Sequence, residues 1–189
     1  MLPKLQHRLT AEEYLFQERL SATRREYLDG EIFAMAGASR RHNQISSNLT
    51  RILGNQLANR PCSVYSSDMK VKIEKLNKYA YPDVLIVCGQ QQFEDENEDV
   101  LLNPLLIMEV LSDSTEAYDR GDKFLHYQGI PSLAEYLLVS QKSCRIEQFT
   151  RQSDDTWVYS QSDEINDEVG LKSVDCSLKL QDVYAKVEV

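Results

Sequence analysis

Long apolar runs are missing from this sequence. No segment approaches the roughly 18 uninterrupted apolar residues that a membrane-spanning helix requires, and the opening residues, Met1 to Gln6, lack the apolar core of a signal peptide. We therefore expect a cytoplasmic protein with no membrane partner. The 189 residues are enough for one domain with a proper core and too few for two comfortable ones, so a single domain over 1–189 is expected.

Cysteine is scarce and never clustered. The four cysteines stand singly, without a Cys-x-x-Cys pair or a neighbouring histidine couple: Cys62, Cys88, Cys144 and Cys176. This spacing argues against a zinc site or a disulfide scaffold and predicts reduced, mostly buried thiols. Glycine and proline are also few, at 7 and 5 residues, and the 42% apolar and 27% charged content excludes collagen-like, coiled-coil and wholly disordered chains.

An excess of positive charge is missing as well. The net charge of −9 argues against a protein that coats nucleic acid by bulk electrostatics. The charge is nevertheless uneven, because residues 1–80 carry 13 Lys and Arg against 8 Asp and Glu, whereas residues 81–189 carry 8 against 22. Any DNA partner should therefore approach over the basic first part. The candidate contacts there are Arg40, Arg41, Lys70 and Lys72.

Local signals in the first part predict a helix, a hairpin and a second helix. Thr10 and Glu13 stand at the spacing of a capping box, which favours a helix start. The Asp29-Gly30 pair between short β-prone arms predicts a two-residue hairpin turn. Apolar residues at helical spacing predict a longer helix over 42–59.

The pattern then becomes mostly extended. Strands are predicted over 63–65, 69–73, 84–88, 105–111, 135–139, 145–150 and 157–161. One helix is predicted over 115–128 and a last amphipathic helix over 177–187. The acidic segment 94–99 is typical of a solvated loop rather than a metal site. This order of elements predicts an α/β domain with a mixed sheet.

Glu109 stands inside the apolar strand at 105–111. A carboxylate in a strand covered on both faces is costly to bury unless a cation, hydrogen bonds or a raised pKa offsets the cost. Asp83 poses the same problem at the start of another apolar strand. If the two strands are neighbours, the carboxylates form the hard-oxygen half-shell that Mg²⁺ or Mn²⁺ accepts.

Lys123 belongs to a helical face with Asp119 and Tyr127, each four residues apart. A lysine that points back at a metal-bound phosphate can orient and help to deprotonate the attacking water. The alternative is an exposed salt bridge with Asp119, worth under about 1 kcal/mol. Spacing alone leaves both interpretations open.

These residues together resemble a large bacterial family of predicted nucleases with the restriction-endonuclease-like fold, within the PD-(D/E)xK superfamily. The matching residues are Tyr81-Pro82-Asp83, Glu109-Val110-Leu111-Ser112, Ser114-Thr115, Asp119, Lys123, Tyr127, the hairpin 26–31, His42, Pro131 and Glu135-Tyr136. The resemblance covers most of the chain and implies a mixed β-sheet core flanked by helices. In this chain an N-terminal helix and hairpin and extra C-terminal strands would be added to that core.

The resemblance also implies site roles. Asp83 and Glu109 would ligate Mg²⁺ or Mn²⁺, the Val110 carbonyl could add a backbone ligand, and activated water would hydrolyse a phosphodiester bond. The chain departs from the superfamily pattern at Leu111, where the lysine of Glu-x-Lys belongs. An apolar side chain cannot orient water, so Lys123 is expected to supply the displaced cation.

Four further residues are weaker candidates. Glu26 resembles the extra N-terminal acid that some superfamily members bring to the metal, against the alternative of a surface pair in the hairpin. His42 could enter the site, although a histidine at a helix start is more often a cap or a core contact. Asp68 and Lys70 could line the groove or lie on a solvated strand face.

Three classes of function follow. The first is a metal-dependent endodeoxyribonuclease acting on DNA, and paired strand cleavage would favour a homodimer. The second is a nucleic-acid-binding module with weak or absent catalysis. The third is an interaction protein whose buried polar residues only hold its core.

Overall fold

The computed structural model describes residues 8–35 and 37–189. The prediction that no signal peptide begins the chain falls on residues 1–6, outside these ranges. The α-helices are α1 Ala11–Arg19, α2 Arg40–Leu57, α3 Glu116–Tyr118, α4 Phe124–Tyr127 and α5 Leu180–Val183. No helix in the described ranges is both long and apolar enough to cross a membrane.

Thirteen strands alternate with these helices in the described ranges. In chain order they are β1 Arg25–Leu28, β2 Glu31–Ala34, β3 Cys62–Ser66, β4 Lys70–Ile73, β5 Lys78–Ala80, β6 Val84–Cys88, β7 Val100–Leu101, β8 Leu106–Leu111, β9 Glu135–Ser140, β10 Ile146–Arg151, β11 Trp157–Ser162, β12 Glu168–Leu171 and β13 Cys176–Lys179. All seven strands predicted from the sequence are present.

The N-terminal elements follow from local chemistry. The Thr10 hydroxyl accepts a hydrogen bond from the Glu13 amide at 3.1 Å, and the Glu13 carboxylate accepts one from the Thr10 amide at 2.8 Å. The predicted capping box is therefore confirmed. Asp29 and Gly30 have φ of 43° and 97°, the left-handed pair that a tight hairpin turn requires. Helix α2 begins two residues earlier than predicted because Ser39 caps it.

Two mixed sheets form the frame. A six-stranded sheet has the order β11-β10-β9-β8-β6-β3, and a five-stranded sheet has the order β2-β1-β5-β4-β7. Strands β8 and β9 pair in parallel, as do β4 and β7, whereas the other neighbours within these two sheets are antiparallel. The predicted α/β class with a mixed sheet and flanking helices is confirmed.

The core is layered around these sheets. Helix α2, the β12–β13 pair and α5 cover one face of the six-stranded sheet. Its other face packs against the five-stranded sheet and the helix around Tyr127. Tyr14, Tyr27 and Tyr79 close the outer side of the five-stranded sheet under α1. Strands β6 and β8 are thus covered on both faces, which fits their nearly continuous apolar sequences.

Two predicted helices differ from the structure. The helix predicted over 115–128 is interrupted, because a π-helical turn over Asp119–Lys123 separates α3 from α4; we call residues 116–127 the site helix. The helix predicted over 177–187 is wrong over its first part, where β13 pairs with β12 before the short α5. Strands β12 and β13 form a local hairpin, and their ladder replaces the first part of the predicted helix.

The prediction of reduced cysteines is wrong for one pair. Cys62 and Cys88 stand opposite each other on β3 and β6, with Cα atoms 4.0 Å apart, and form a disulfide. Their separation of 26 residues gives no hint of the pairing, which depends on strand register. Cys144 and Cys176 are free thiols.

The acidic segment 94–99 is a loop, as predicted: Asp95, Glu96, Asn97 and Glu98 are exposed, and only Glu94 and Asp99 at its two ends are half-buried. Asp99 lies 2.7 Å from Arg19 and 2.8 Å from Lys70, and Glu94 lies 2.7 Å from Lys72. These ion pairs anchor the segment to α1 and β4. They also pair Lys70 and Lys72 with acids, which argues against the predicted DNA contact of these two lysines.

Candidate active site

A cleft of about 980 Å³ brings together residues that are distant in sequence. Its walls come from both sheets, the start of α2 and the site helix. The four predicted catalytic residues line it: Glu26 on β1, Asp83 before β6, Glu109 on β8 and Lys123 in the π-helical turn. Three of them are nearly inaccessible, with Glu26, Glu109 and Lys123 only 8%, 2% and 6% exposed.

Strand register aligns the two central carboxylates. Strands β6 and β8 are antiparallel with Val84 opposite Met108, so one further step along the register brings Asp83 opposite Glu109 on the same face. Asp83 Oδ2 accepts a hydrogen bond from the Val110 amide at 2.8 Å and lies 3.1 Å from His42 Nε2. The first contact holds the Asp83 carboxylate against β8, and the second holds it against the start of α2.

Lys123 meets Glu109 from the helix side. Its Nζ lies 2.9 Å from Glu109 Oε1, 3.5 Å from Asp119 and 3.6 Å from Glu26. Tyr127 donates a second hydrogen bond to Glu109 Oε1 at 3.0 Å. The expected pair with Asp119 exists, but both partners are buried, so the alternative of an exposed salt bridge is wrong.

The π-helical turn shapes this helix face. Asp119 and Lys123 are its first and last residues, and both side chains are buried. Single π-helical turns inside α-helices occur often at functional sites because they shift the side chains that follow. Tyr136 supports the turn by donating a hydrogen bond to the Asp119 carbonyl at 3.0 Å.

The electrostatics of the cleft follow from four carboxylates around one lysine. Burial raises the pKa of Glu109 well above its usual range, and the Asp83 and Asp119 charges add to the rise while Lys123 opposes it. Burial also raises the pKa of Asp119. Burial disfavours charged Lys123, but the surrounding acids, with Glu109 the largest contributor, outweigh that effect and raise its pKa. The carboxylates therefore repel one another in the cleft, and a bound cation would relieve that repulsion.

The donor set fits a hard divalent cation. The described residues contain no group of three or more His, Cys, Asp or Glu side chains arranged to hold a metal ion. Mg²⁺, however, is commonly bound through one or two carboxylates and completed by water and phosphate oxygens. Because the Val110 amide faces Asp83, its carbonyl lies along the same edge of β8. Asp83, Glu109 and Val110 thus offer two carboxylates and one backbone oxygen.

Of the four weaker candidates from the sequence, two lie in the cleft and two lie outside it. Glu26 is buried and accepts a hydrogen bond from the Tyr81 amide at 3.3 Å, so the alternative of a surface pair in the hairpin is wrong. His42 reaches the cleft through Asp83, as a neighbour of the carboxylate pair. Asp68 and Lys70 do not line the cleft. Asp68 lies on the surface beside Arg24 at 3.1 Å.

Sequence reasoning missed one cleft residue of note, Lys78. It lies on β5, which has only three residues and is too short to produce a readable periodicity. Lys78 is 1% exposed and donates a hydrogen bond to the Tyr118 hydroxyl oxygen. Buried lysines are rare, and a buried one is therefore a candidate functional residue. The burial of Lys78 depends on β5, a strand that the sequence pattern does not predict.

Comparison with known proteins yields a family and a fold. Residues 11–181 match the family model described as "Uma2: Putative restriction endonuclease". Two relatives from Synechocystis sp. (strain ATCC 27184 / PCC 6803 / Kazusa) are similar in sequence. "Uncharacterized protein sll1609" is 38% identical over 81% of this chain and 86% of the relative, and "Uncharacterized protein slr1290" is 37% identical over 94% and 92%.

A solved structure shares the fold. It is described as "a putative nuclease belonging to DUF820", from Anabaena variabilis ATCC 29413, and it superposes with a TM-score of 0.77 at 16% sequence identity. The superposition covers 95% of this chain and 99% of that chain. The restriction-endonuclease-like architecture expected from the sequence is thereby confirmed.

Proposed function

Because this chain belongs to the Uma2 family, we propose that it is a metal-dependent endodeoxyribonuclease that hydrolyses phosphodiester bonds with an activated water. The observation that carries the proposal is the meeting of Asp83, Glu109 and Lys123 in one cleft. Two carboxylates and a lysine in such a cleft are suited to phosphoryl chemistry, because they can hold a divalent cation and a nucleophilic water together.

Asp83, Glu109 and the Val110 carbonyl would hold Mg²⁺ or Mn²⁺. When bound, the ion supplies charge for the phosphate oxygens and lowers the pKa of a coordinated water. Asp83 is prepared for this role by the Val110 amide and His42, which fix its carboxylate. Glu109 is held by Tyr127, so both ligands are preorganised.

Lys123 would orient the attacking water and offset charge that develops on the phosphate oxygens. Its ammonium approaches Glu109 from the site helix at 2.9 Å, whereas Leu111 packs into the apolar core between the sheets. The lysine of the superfamily pattern is thus replaced by one from a different element. Asp119 and Glu26 act as positioning residues, since both lie within 4.0 Å of its Nζ.

A second candidate function is a nucleic-acid-binding or interaction module with weak or absent catalysis. One observation favours it: Glu109 Oε1 is already paired with Lys123 and Tyr127, so a metal ion must compete with an internal salt bridge. A homodimer stays a prediction under either function, because paired strand cleavage requires two sites.

Substrate and metal dependence test the proposal together. Purified protein is incubated with plasmid DNA and with a structured RNA in Mg²⁺, in Mn²⁺ and in a chelator. We expect nicked and linear DNA in either metal and none in the chelator. Cleavage that persists in the chelator would contradict the metal dependence. DNA binding with no cleavage in any metal would contradict the nuclease and favour the binding module.

A further inference from the structure

A second polar cluster lies in the cleft beside the carboxylates. Lys78 Nζ donates a hydrogen bond to the Tyr118 hydroxyl oxygen and lies 3.1 Å from His126 Nδ1. All three residues line the cleft. Lys78 is 1% exposed and Tyr118 is 36% exposed, so the tyrosine faces the opening and the lysine stands behind it.

Lys78 differs from the other buried lysines in its partners. Lys70 and Lys123 each lie within 4.0 Å of a carboxylate, whereas no carboxylate of the described residues comes this close to Lys78. Glu26 lies on the same face of the five-stranded sheet, since Leu28 is opposite Lys78 in the register, yet it pairs with Lys123. The contacts of Lys78 are thus a phenol and an imidazole.

The direction of the Lys78 bond determines what Tyr118 can do. Burial lowers the pKa of Lys78, and the nearby Glu26 and Glu109 charges oppose that fall. As an ammonium Lys78 can only donate, so the phenol oxygen accepts and its own proton is not used in that bond. No described residue accepts this proton. Burial raises the pKa of Tyr118, so the hydroxyl keeps its proton as a donor. A neighbouring cation polarises the O–H group and strengthens it as a donor to an anion.

The position of Tyr118 suggests the identity of that anion. Tyr118 immediately precedes Asp119, which is the first residue of the π-helical turn that ends at Lys123. An anion that reaches the hydroxyl therefore lies next to the proposed metal-binding carboxylates. In a nuclease, the anionic groups that run past such a cleft are backbone phosphates.

We propose that the Tyr118 hydroxyl donates a hydrogen bond to a phosphate oxygen of the bound DNA backbone, and that Lys78 is the positioning residue that orients and polarises it. This inference rests on the proposed function, because it names a further group that contacts the same substrate. In this proposal Tyr118 contacts the substrate directly. Lys78 affects DNA binding only through its hydrogen bond to Tyr118.

The first arm of the test removes only the hydroxyl. Tyr118→Phe is compared with Tyr159→Phe, a matched loss of a hydroxyl from a 50% exposed tyrosine outside the cleft. Binding of a short DNA duplex is measured in Ca²⁺ as the probe metal, with the DNA checked for integrity. We expect Tyr118→Phe to weaken binding about tenfold, on the scale of one hydrogen bond to a charged group. The control should bind like the wild type.

The salt dependence separates a hydrogen bond from a charge contact. Because no charge is removed, Tyr118→Phe should leave the slope of log K against log salt unchanged. Lys78→Met should also weaken DNA binding with little change of this slope. In a Tyr118→Phe protein, the added Lys78→Met substitution should cause almost no further loss of affinity. If Lys78→Met instead reduced the slope by about one phosphate contact, Lys78 itself would bind phosphate. That result would overturn the positioning role of Lys78.

The outcomes distinguish this inference from the proposed function. A Tyr118→Phe protein that binds DNA like the wild type overturns the inference even if the wild type cuts DNA in Mg²⁺. A tenfold loss on Tyr118→Phe in a protein that never cuts overturns the nuclease and supports the contact. Absence of DNA binding by the wild type overturns both. If Lys78→Met does not fold, as judged by thermal unfolding, Lys78→Gln takes its place, and Tyr118→Phe still decides the phosphate contact.

Discussion

Asp83 accepts a hydrogen bond from the backbone amide of Val110 at 2.8 Å. This bond ties the residue before β6 to the end of the neighbouring strand β8, directly after Glu109. The two carboxylates are consequently held on one face of the sheet by the backbone itself. The position of a cation bound there would depend on strand register more than on loop conformation, because residues on regular strands are held more precisely than residues on loops.

Replacement of Lys123 is expected to cost catalysis. Lys123→Ala should lower the cleavage rate by about 10²–10⁴, the usual scale for a group that positions water and stabilises charge. The measurement is plasmid cleavage in Mg²⁺, with Lys75→Ala, an exposed lysine outside the cleft, as the control. Thermal unfolding of each variant separates lost chemistry from lost folding. Cleavage by Lys123→Ala at the wild-type rate would remove the lysine from the mechanism.

Metal affinity should depend on Glu109. Glu109→Gln keeps the size and shape of the side chain but removes a charge, so we expect Mn²⁺ binding measured by calorimetry to weaken by at least about tenfold. Glu116→Gln is the matched control, because Glu116 lies on the same helix as Lys123 but pairs with Arg120 and Lys142. Equal Mn²⁺ affinity in Glu109→Gln and the wild type would place the metal elsewhere.

DNA is expected to approach past the start of α2. Arg41 is exposed and lines the cleft, whereas Arg51 is exposed on the same helix outside it. Arg41→Glu should weaken duplex binding and flatten its salt dependence, because one phosphate contact is lost. Arg51→Glu makes the same charge change and should have a smaller effect. Equal effects of the two variants would locate the DNA on another surface; Arg40 next to Arg41 offers a second test.

The stability of the protein should depend on pH through Asp99. Burial raises the pKa of Asp99, but hydrogen bonds from Arg19 and Lys70 outweigh it and lower the pKa from 3.8 to about 2. A carboxyl whose pKa is depressed on folding contributes stability above its unfolded pKa and loses that contribution as the pH falls toward the folded value. The difference in free energy of unfolding between wild type and Asp99→Asn should therefore shrink between about pH 5 and pH 2. A difference that is constant over this range would contradict the contribution of these pairs.

The sequence predicted those parts of the fold that depend on neighbouring residues. The capping box of Thr10 and the turn at Asp29 are satisfied within a few residues, so their signals are local. Glu109 stood out because a charge interrupts an apolar strand, and its burial follows from that strand alone. Its partnership with Asp83 and Lys123 came from resemblance, since spacing left the exposed alternative open.

Three of the missed features depend on contacts between distant parts of the chain. Arg19 and Asp99 are 80 residues apart, so the ion pairs that hold the acidic segment have no local signal. The Cys62–Cys88 disulfide depends on the register of β3 and β6. Lys78 was missed because β5 is only three residues long and pairs with β1 and β4.

Cleavage by an Asp83→Asn variant tests the central claim most directly. The variant keeps the side-chain shape, its amide oxygen can still accept from Val110, and only the charge is lost. Asp68→Asn, at an exposed carboxylate 15 residues earlier and outside the cleft, is the matched control. With plasmid DNA and Mg²⁺, we predict that Asp83→Asn loses at least about 10² in rate while Asp68→Asn cuts like the wild type. Wild-type cleavage by Asp83→Asn would contradict the assignment of this cleft as the nuclease site.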